Sequence, residues 1–223
     1  MRMKRIAYTL ALLVAAQFGA GVSNTKAGLI LTFGQTSGSN TITGTKTSDT
    51  GFTISGADVA IQITQIDPSS GLTPPISAYL NMNLASTAAA GSVGGVAYYQ
   101  AFSGSVQITS GTGGSGTNYL STTTLSGLLL GIDATANATF GNTPGNVTLS
   151  SSVFSPLGAP MDLALQLGNL SPVLALQGNS LRSFTASING NASAAIPEPS
   201  ALVTAMIGLL VTTPILRRRF HRV

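Results

Sequence analysis

From residue 28 onward apolar and polar positions alternate. Val59, Ile61 and Ile63 flank Ala60 and Gln62, and Ile76, Ala78, Leu80, Met82 and Leu84 are separated by Ser77, Tyr79, Asn81 and Asn83. The period returns at Phe102, Val106 and Ile108, at Met161, Leu163, Leu165 and Leu167, and at Phe184, Ala186 and Ile188. A period of two turns one side of a segment to a core and the other to water, as in antiparallel, half-buried strands. Clusters of Gly, Pro, Asn and Ser at 34–40, 67–75, 110–117, 141–146, 156–160 and 168–172 predict turns between the runs. Many short strands joined by turns predict an all-β antiparallel body over 28–195, arranged as a β-sandwich or jelly roll. An outer-membrane barrel also alternates, but it needs aromatic girdles at both interfaces. This chain has no Trp and only 5 Tyr.

The alternation is missing at both ends. Arg2, Lys4 and Arg5 precede an apolar run at 6–16, followed by a polar, small-residue stretch. This basic, apolar, small order is that of a secretory signal peptide, and the run is too short to span a bilayer comfortably. Residues 1–27 are therefore expected to be a removable signal helix. Cleavage between Ala27 and Gly28 would place Thr25 and Ala27 at the small-residue positions; Ser23 is an alternative, and a buried N-terminal helix is the bland reading.

At the other end Pro197, Glu198 and Pro199 precede Ser200, an apolar span at 201–216, and Arg217, Arg218 and Arg219. Each proline fixes its own φ and disfavours the α region in its predecessor, so the tripeptide is expected to be extended. Ser200 suits a helix N-cap. As a helix the span would be about 24 Å long at 1.5 Å per residue, short of a typical hydrocarbon core, with the long arginine stems able to reach the interface. Pro214 lies in its last turn. The arginines should stay cytoplasmic, which leaves the body outside.

Residues 197–223 together resemble the PEP-CTERM sorting tag of Gram-negative and related bacteria. The resemblance rests on the Pro197-Glu198-Pro199 motif, the short apolar span and the terminal arginines, in a chain that also opens with a signal peptide. Pro214 inside the span and the residues after Arg219 depart from that pattern. The resemblance implies a single transmembrane helix over about 201–216 within a tag covering 196–223. It also implies processing by an exosortase, a membrane-embedded cysteine peptidase, after passage past the signal peptidase. The product would be an inner-membrane-tethered precursor whose body is then released or transferred to the cell surface or the extracellular polysaccharide matrix. A plain anchor that is never cut is the alternative.

Charge changes the picture little. The formal net charge is +4, but the lysines and arginines of the two tags supply it. The body holds Lys46 and Arg182 against Asp49, Asp58, Asp67, Asp133 and Asp162. A nucleic-acid face needs clustered Lys and Arg, so no nucleic-acid partner is expected. Only 7% of residues are charged, yet 43% are hydrophobic, which is not the composition of a disordered chain. With no cysteine, disulfides, lipid-bearing Cys and thiolate metal sites are excluded.

The missing residues also limit the chemistry. His221 and Glu198 are the only His and Glu, and both lie in the tag. The body therefore has no histidine for a Ser-His-Asp triad, a Cys-His dyad or a zinc site. Asp49, Asp58 and Asp67 are evenly spaced, but the spacing is odd and turns intervene, so solvated or turn-capping roles fit better than a calcium or glycosidase site. An Asp-pair hydrolase would rest on Asp133 and Asp162. The glycine-rich loop at 111–116 lacks the Lys-Ser/Thr of a phosphate loop. Asn137, Asn146 and Asn191 head N-glycosylation patterns, which polar loops also produce by chance. Tyr98 and Tyr99, with Tyr79 and Tyr119, could offer aromatic faces to a glycan; adjacent tyrosines on one strand would instead point to opposite faces. No cofactor or metal is expected. The expected function is an exported structural protein without catalytic activity; a lectin-like module for the cell's own exopolysaccharide is the alternative.

Overall fold

A computed structural model describes residues 27–36, 41–132, 135–154 and 156–196. The strands are β1 (Gly28–Gln35), β2 (Ile42–Lys46), β3 (Phe52–Ile66), β4 (Ile76–Ser86), β5 (Gly91–Val93) and β6 (Ala97–Thr109). They continue as β7 (Asn118–Ile132), β8 (Ala138–Ser150), β9 (Gly158–Ser171), β10 (Leu176–Gln177), β11 (Ser180–Leu181) and β12 (Phe184–Ala195). The only helical pieces among the described residues are two 3-10 turns, Pro68–Ser70 and Thr112–Gly114. Both sorting-tag features, the motif Pro197, Glu198, Pro199 and the arginines Arg217, Arg218 and Arg219, lie outside the described residues, as does the signal segment up to residue 26.

The all-β antiparallel expectation is met, but the strands do not form two stacked sheets. β3, β4, β6, β7, β8, β9 and β12 pair neighbour to neighbour, all antiparallel. β1 and β2 share the remaining place between β12 and β3: β1 pairs with one half of each and β2 with the other. The ring therefore closes into a barrel with eight wall positions. Period-2 patterning shows which face of a strand is wet; it does not show whether the sheet's edges meet, so a sandwich and a barrel share one sequence signature.

A barrel of eight strands has an interior just wide enough for side chains to fill. Phe33, Phe52, Phe102 and Phe140 are buried there with Ile30, Ile54, Ile61, Ile63, Leu80, Leu120, Leu129, Leu163 and Leu165. Phe52 stacks on Phe184 at 5.7 Å and meets Phe102 edge-on at 6.2 Å, closing the core near one rim. The interior of this barrel is apolar, whereas the lumen of a lipid-spanning barrel is polar.

The two rims differ. At the rim formed by the β2–β3, β4–β6 and β9–β12 connections, the β10–β11 hairpin folds over the end of the barrel. The Ser180 hydroxyl donates to the Gly51 carbonyl at 3.1 Å, Asn179 Nδ2 to Asp49 Oδ2 at 3.3 Å, and the Ala90 N–H to the Asn179 carbonyl at 2.8 Å. Lys46 Nζ donates to the Gln177 carbonyl. Beneath the hairpin, buried Gln100 donates through Nε2 to the carbonyls of Thr50 at 3.1 Å and Ala88 at 2.9 Å. Both ends of the body leave at the opposite rim, where Gly28 pairs with Ala194.

The turn predicted at 141–146 is a correction: the segment lies inside β8. The breakers there have a physical meaning nonetheless. Leu125 pairs with Val147 while Gly127 pairs with Asn142, so four residues of β8 stand against the single Ser126 and form a large bulge. The turn at 168–172 is likewise absorbed by β9, which runs to Ser171.

Candidate functional site

Asp58 and Asp67 do structural work at separate places. Asp58 adopts φ 49° in a bulge of β3, a conformation that Asp tolerates better than most residues. Asn81 holds it from both sides: the Asp58 N–H donates to Asn81 Oδ1 at 2.9 Å and Asn81 Nδ2 donates back to Asp58 Oδ1 at 3.1 Å. The same carboxylate accepts the Gly113 N–H at 2.7 Å and so ties down the glycine-rich loop. Asp67 caps the turn Pro68–Ser70 by accepting the Ser69 N–H at 2.8 Å. Asp162 projects from β9 opposite Ser193, and Asp133 lies outside the described residues. No cluster of His, Asp or Glu suited to a metal occurs among the described residues.

The tyrosine pair is split. Tyr98 turns inward, packs against the core, and donates its hydroxyl to the Gly95 carbonyl at 3.2 Å. Tyr99 turns outward and covers Gly91, where a Cβ would meet its ring. They form no joint platform. Of the proposed signal-cleavage pair, Gly28 begins β1 and Ala27 immediately precedes it.

Pairing register brings together a different set of residues. Along one outward row Tyr99 of β6 stands beside Leu130 of β7, Thr139 of β8, Gln166 of β9, Asn189 of β12 and Gly34 of β1. The next row runs Ala101, Leu128, Gly141, Ala164, Asn191 and Thr32. Where the rows cross β8, β9, β12 and β1 the wall is concave, with a groove of about 470 Å³. Gly141 and Ala164 keep its floor low; a Cβ at Gly141 would meet nothing within 4 Å.

The groove is neutral. Its polar side chains are Thr32, Thr139, Gln166, Asn189 and Asn191. Among the described residues, the amides of Gln166, Asn189 and Asn191 make no hydrogen bond to another side chain or to the backbone. On the β7 side the rows turn apolar: Leu128 and Leu130 are each 43% exposed and Ile132 is 54% exposed. The sequence pattern marks Gln166 as outward, but it carries no sign that Asn189 and Asn191 stand beside it, since that depends on the pairing of β9 with β12.

No family model, no curated protein and no solved structure matches this chain.

Proposed function

We propose that the chain is an exported structural protein of the bacterial cell surface or extracellular matrix, sorted by an exosortase and without catalytic activity. The observation that carries this reading is the order of parts at the C-terminus: Pro197-Glu198-Pro199, an apolar span, then Arg217, Arg218 and Arg219. In this reading a signal helix leads the chain to the signal peptidase, and a transmembrane helix over about 201–216 holds the precursor in the inner membrane. The exosortase then acts near the motif. The barrel's geometry is compatible: β12 ends at Ala195, two residues before the motif, so the body would sit directly above the cut.

The mass of the mature protein tests the sorting step. Loss of the tail containing Arg217 to Arg219 is expected, and a triple Ala substitution of Pro197, Glu198 and Pro199 should preserve the uncut form. A mature pool that keeps the arginines, in cells with an active exosortase, would defeat the reading.

A second reading, engagement of exopolysaccharide by the body, is favoured by the neutral amide groove on the outer wall.

A further inference from the structure

We infer that the groove across β8, β9, β12 and β1 binds a neutral glycan chain laid across the strands, with uronate-bearing or phosphorylated glycans excluded. The inference rests on the second reading above and deepens it by naming the site and the ligand class. Primary amides present a donor and an acceptor side by side, which suits the adjacent hydroxyls of a sugar ring. Gln166 and Asn189 are paired across β9 and β12, and Asn191 stands two positions further along the same face.

The rest of the wall matches the other half of a sugar's chemistry. A pyranose is polar at its rim and apolar on its C–H faces. The outward rows run without a break from the amides through Thr139 and Gly141 to Leu130 and Leu128, and end at Tyr99 and Ala101. At about 4.8 Å per strand the four steps from Tyr99 to Asn189 cover roughly 19 Å, room for a chain of sugars and more than one ring needs. The groove volume of about 470 Å³ is within the usual 300–1,000 Å³ of ligand clefts.

Two observations narrow the ligand. No Lys or Arg lines the groove, so nothing there would pair with a carboxylate or phosphate. Asp162 lies one outward position beyond Ala164 on β9, where its negative charge would repel an anionic chain while its oxygens can accept sugar hydroxyls. A peptide strand is a poorer fit, because the groove residues of β8, β9, β12 and β1 are already paired to one another in the two rows that form it.

The test uses the full chain in a detergent without a sugar headgroup. Cellohexaose, maltohexaose and mannohexaose are titrated against it by calorimetry, with oligomannuronate as the charged counterpart. At least one neutral hexasaccharide should bind, and oligomannuronate should not. An Asn189→Ala, Asn191→Ala double variant should weaken binding about tenfold, the size expected for one to two lost hydrogen bonds. Gly141→Leu should block the floor, since its side chain would rise into open space. Both variants should keep the parent's thermal melt, which separates a lost site from a lost fold. No binding by any neutral hexasaccharide would overturn the inference, as would equal binding of oligomannuronate or binding unchanged in both variants. A chain that is cut normally in cells and yet binds none of them would sink this inference and leave the sorting reading intact.

Discussion

The two halves of the outward rows share one backbone plan and differ in what stands on it. In those rows β6 and β7 present Tyr99, Ala101, Leu128 and Leu130, whereas β9 and β12 present Ala164, Gln166, Asn189 and Asn191. Both halves rest on the same closed core, so neither choice is required by the fold. An exposed leucine on a strand contributes little to stability, and an outward amide contributes little more. The difference teaches that the interior fixes the shape of the wall and leaves its outer chemistry open to selection by a partner.

The largest effect is expected where both halves depend on one buried ring. Phe140 of β8 lies beneath their junction and is 2% exposed. Phe140→Ala should cost about 3–5 kcal/mol in a denaturant titration, and both halves should melt together. An effect confined to one half would show that they fold as separate units.

Two glycines sharpen the contrast next. At Gly104 of β6 a Cβ would lie 2.0 Å from the Asn83 carbonyl oxygen, a backbone atom that cannot swing away. Gly104→Ala should therefore destabilise by about 1–3 kcal/mol. At Gly141, on the amide side, a Cβ meets open space, and Gly141→Ala should be neutral or raise stability by up to about 1 kcal/mol through the unfolded chain. Equal losses at the two sites, measured by thermal melting, would contradict this packing.

The smallest effects concern the exposed side chains. A Leu128→Thr, Leu130→Thr, Ile132→Thr triple variant should change stability by less than about 0.5 kcal/mol per site and lower the fluorescence of a dye that reports apolar surface. Asn189→Ala alone should leave both stability and dye fluorescence within error. A marked fall in melting temperature for Asn189→Ala would mean that the amide is a structural tie and not an open binding group.

Much of the fold can be read along the chain because each strand carries its own alternation. The runs at Val59–Ile63, Ile76–Leu84 and Phe184–Ile188 lie within β3, β4 and β12 with the expected faces inward. Closure could not be read the same way. It depends on β12 meeting β1 and β2, pairings between residues far apart in sequence that leave no periodic trace. The breakers at 141–146 misled for a related reason: Gly and Pro signal a departure from regular pairing, and a bulge inside a long strand satisfies them as well as a turn does. The groove was legible only in part. Gln166 reads as an outward polar position, whereas the neighbours that give it meaning come from two other strands. Tyr98 and Tyr99 stood out because they are adjacent, and adjacency on a strand places side chains on opposite faces.

The shared seam has a consequence for how the chain assembles. β3 through β9 can pair with the strand made just before, hairpin by hairpin, as the polypeptide emerges. β9 and the β1–β2 side must wait with bare edges until Phe184–Ala195 arrives, because that last segment alone bridges them. A chain halted before residue 184 would thus present two unfilled strand templates to its neighbours, a known route to aggregation. The final dozen residues of the body act as its latch, and premature truncation there should be far more damaging than loss of an equal length from any exposed loop.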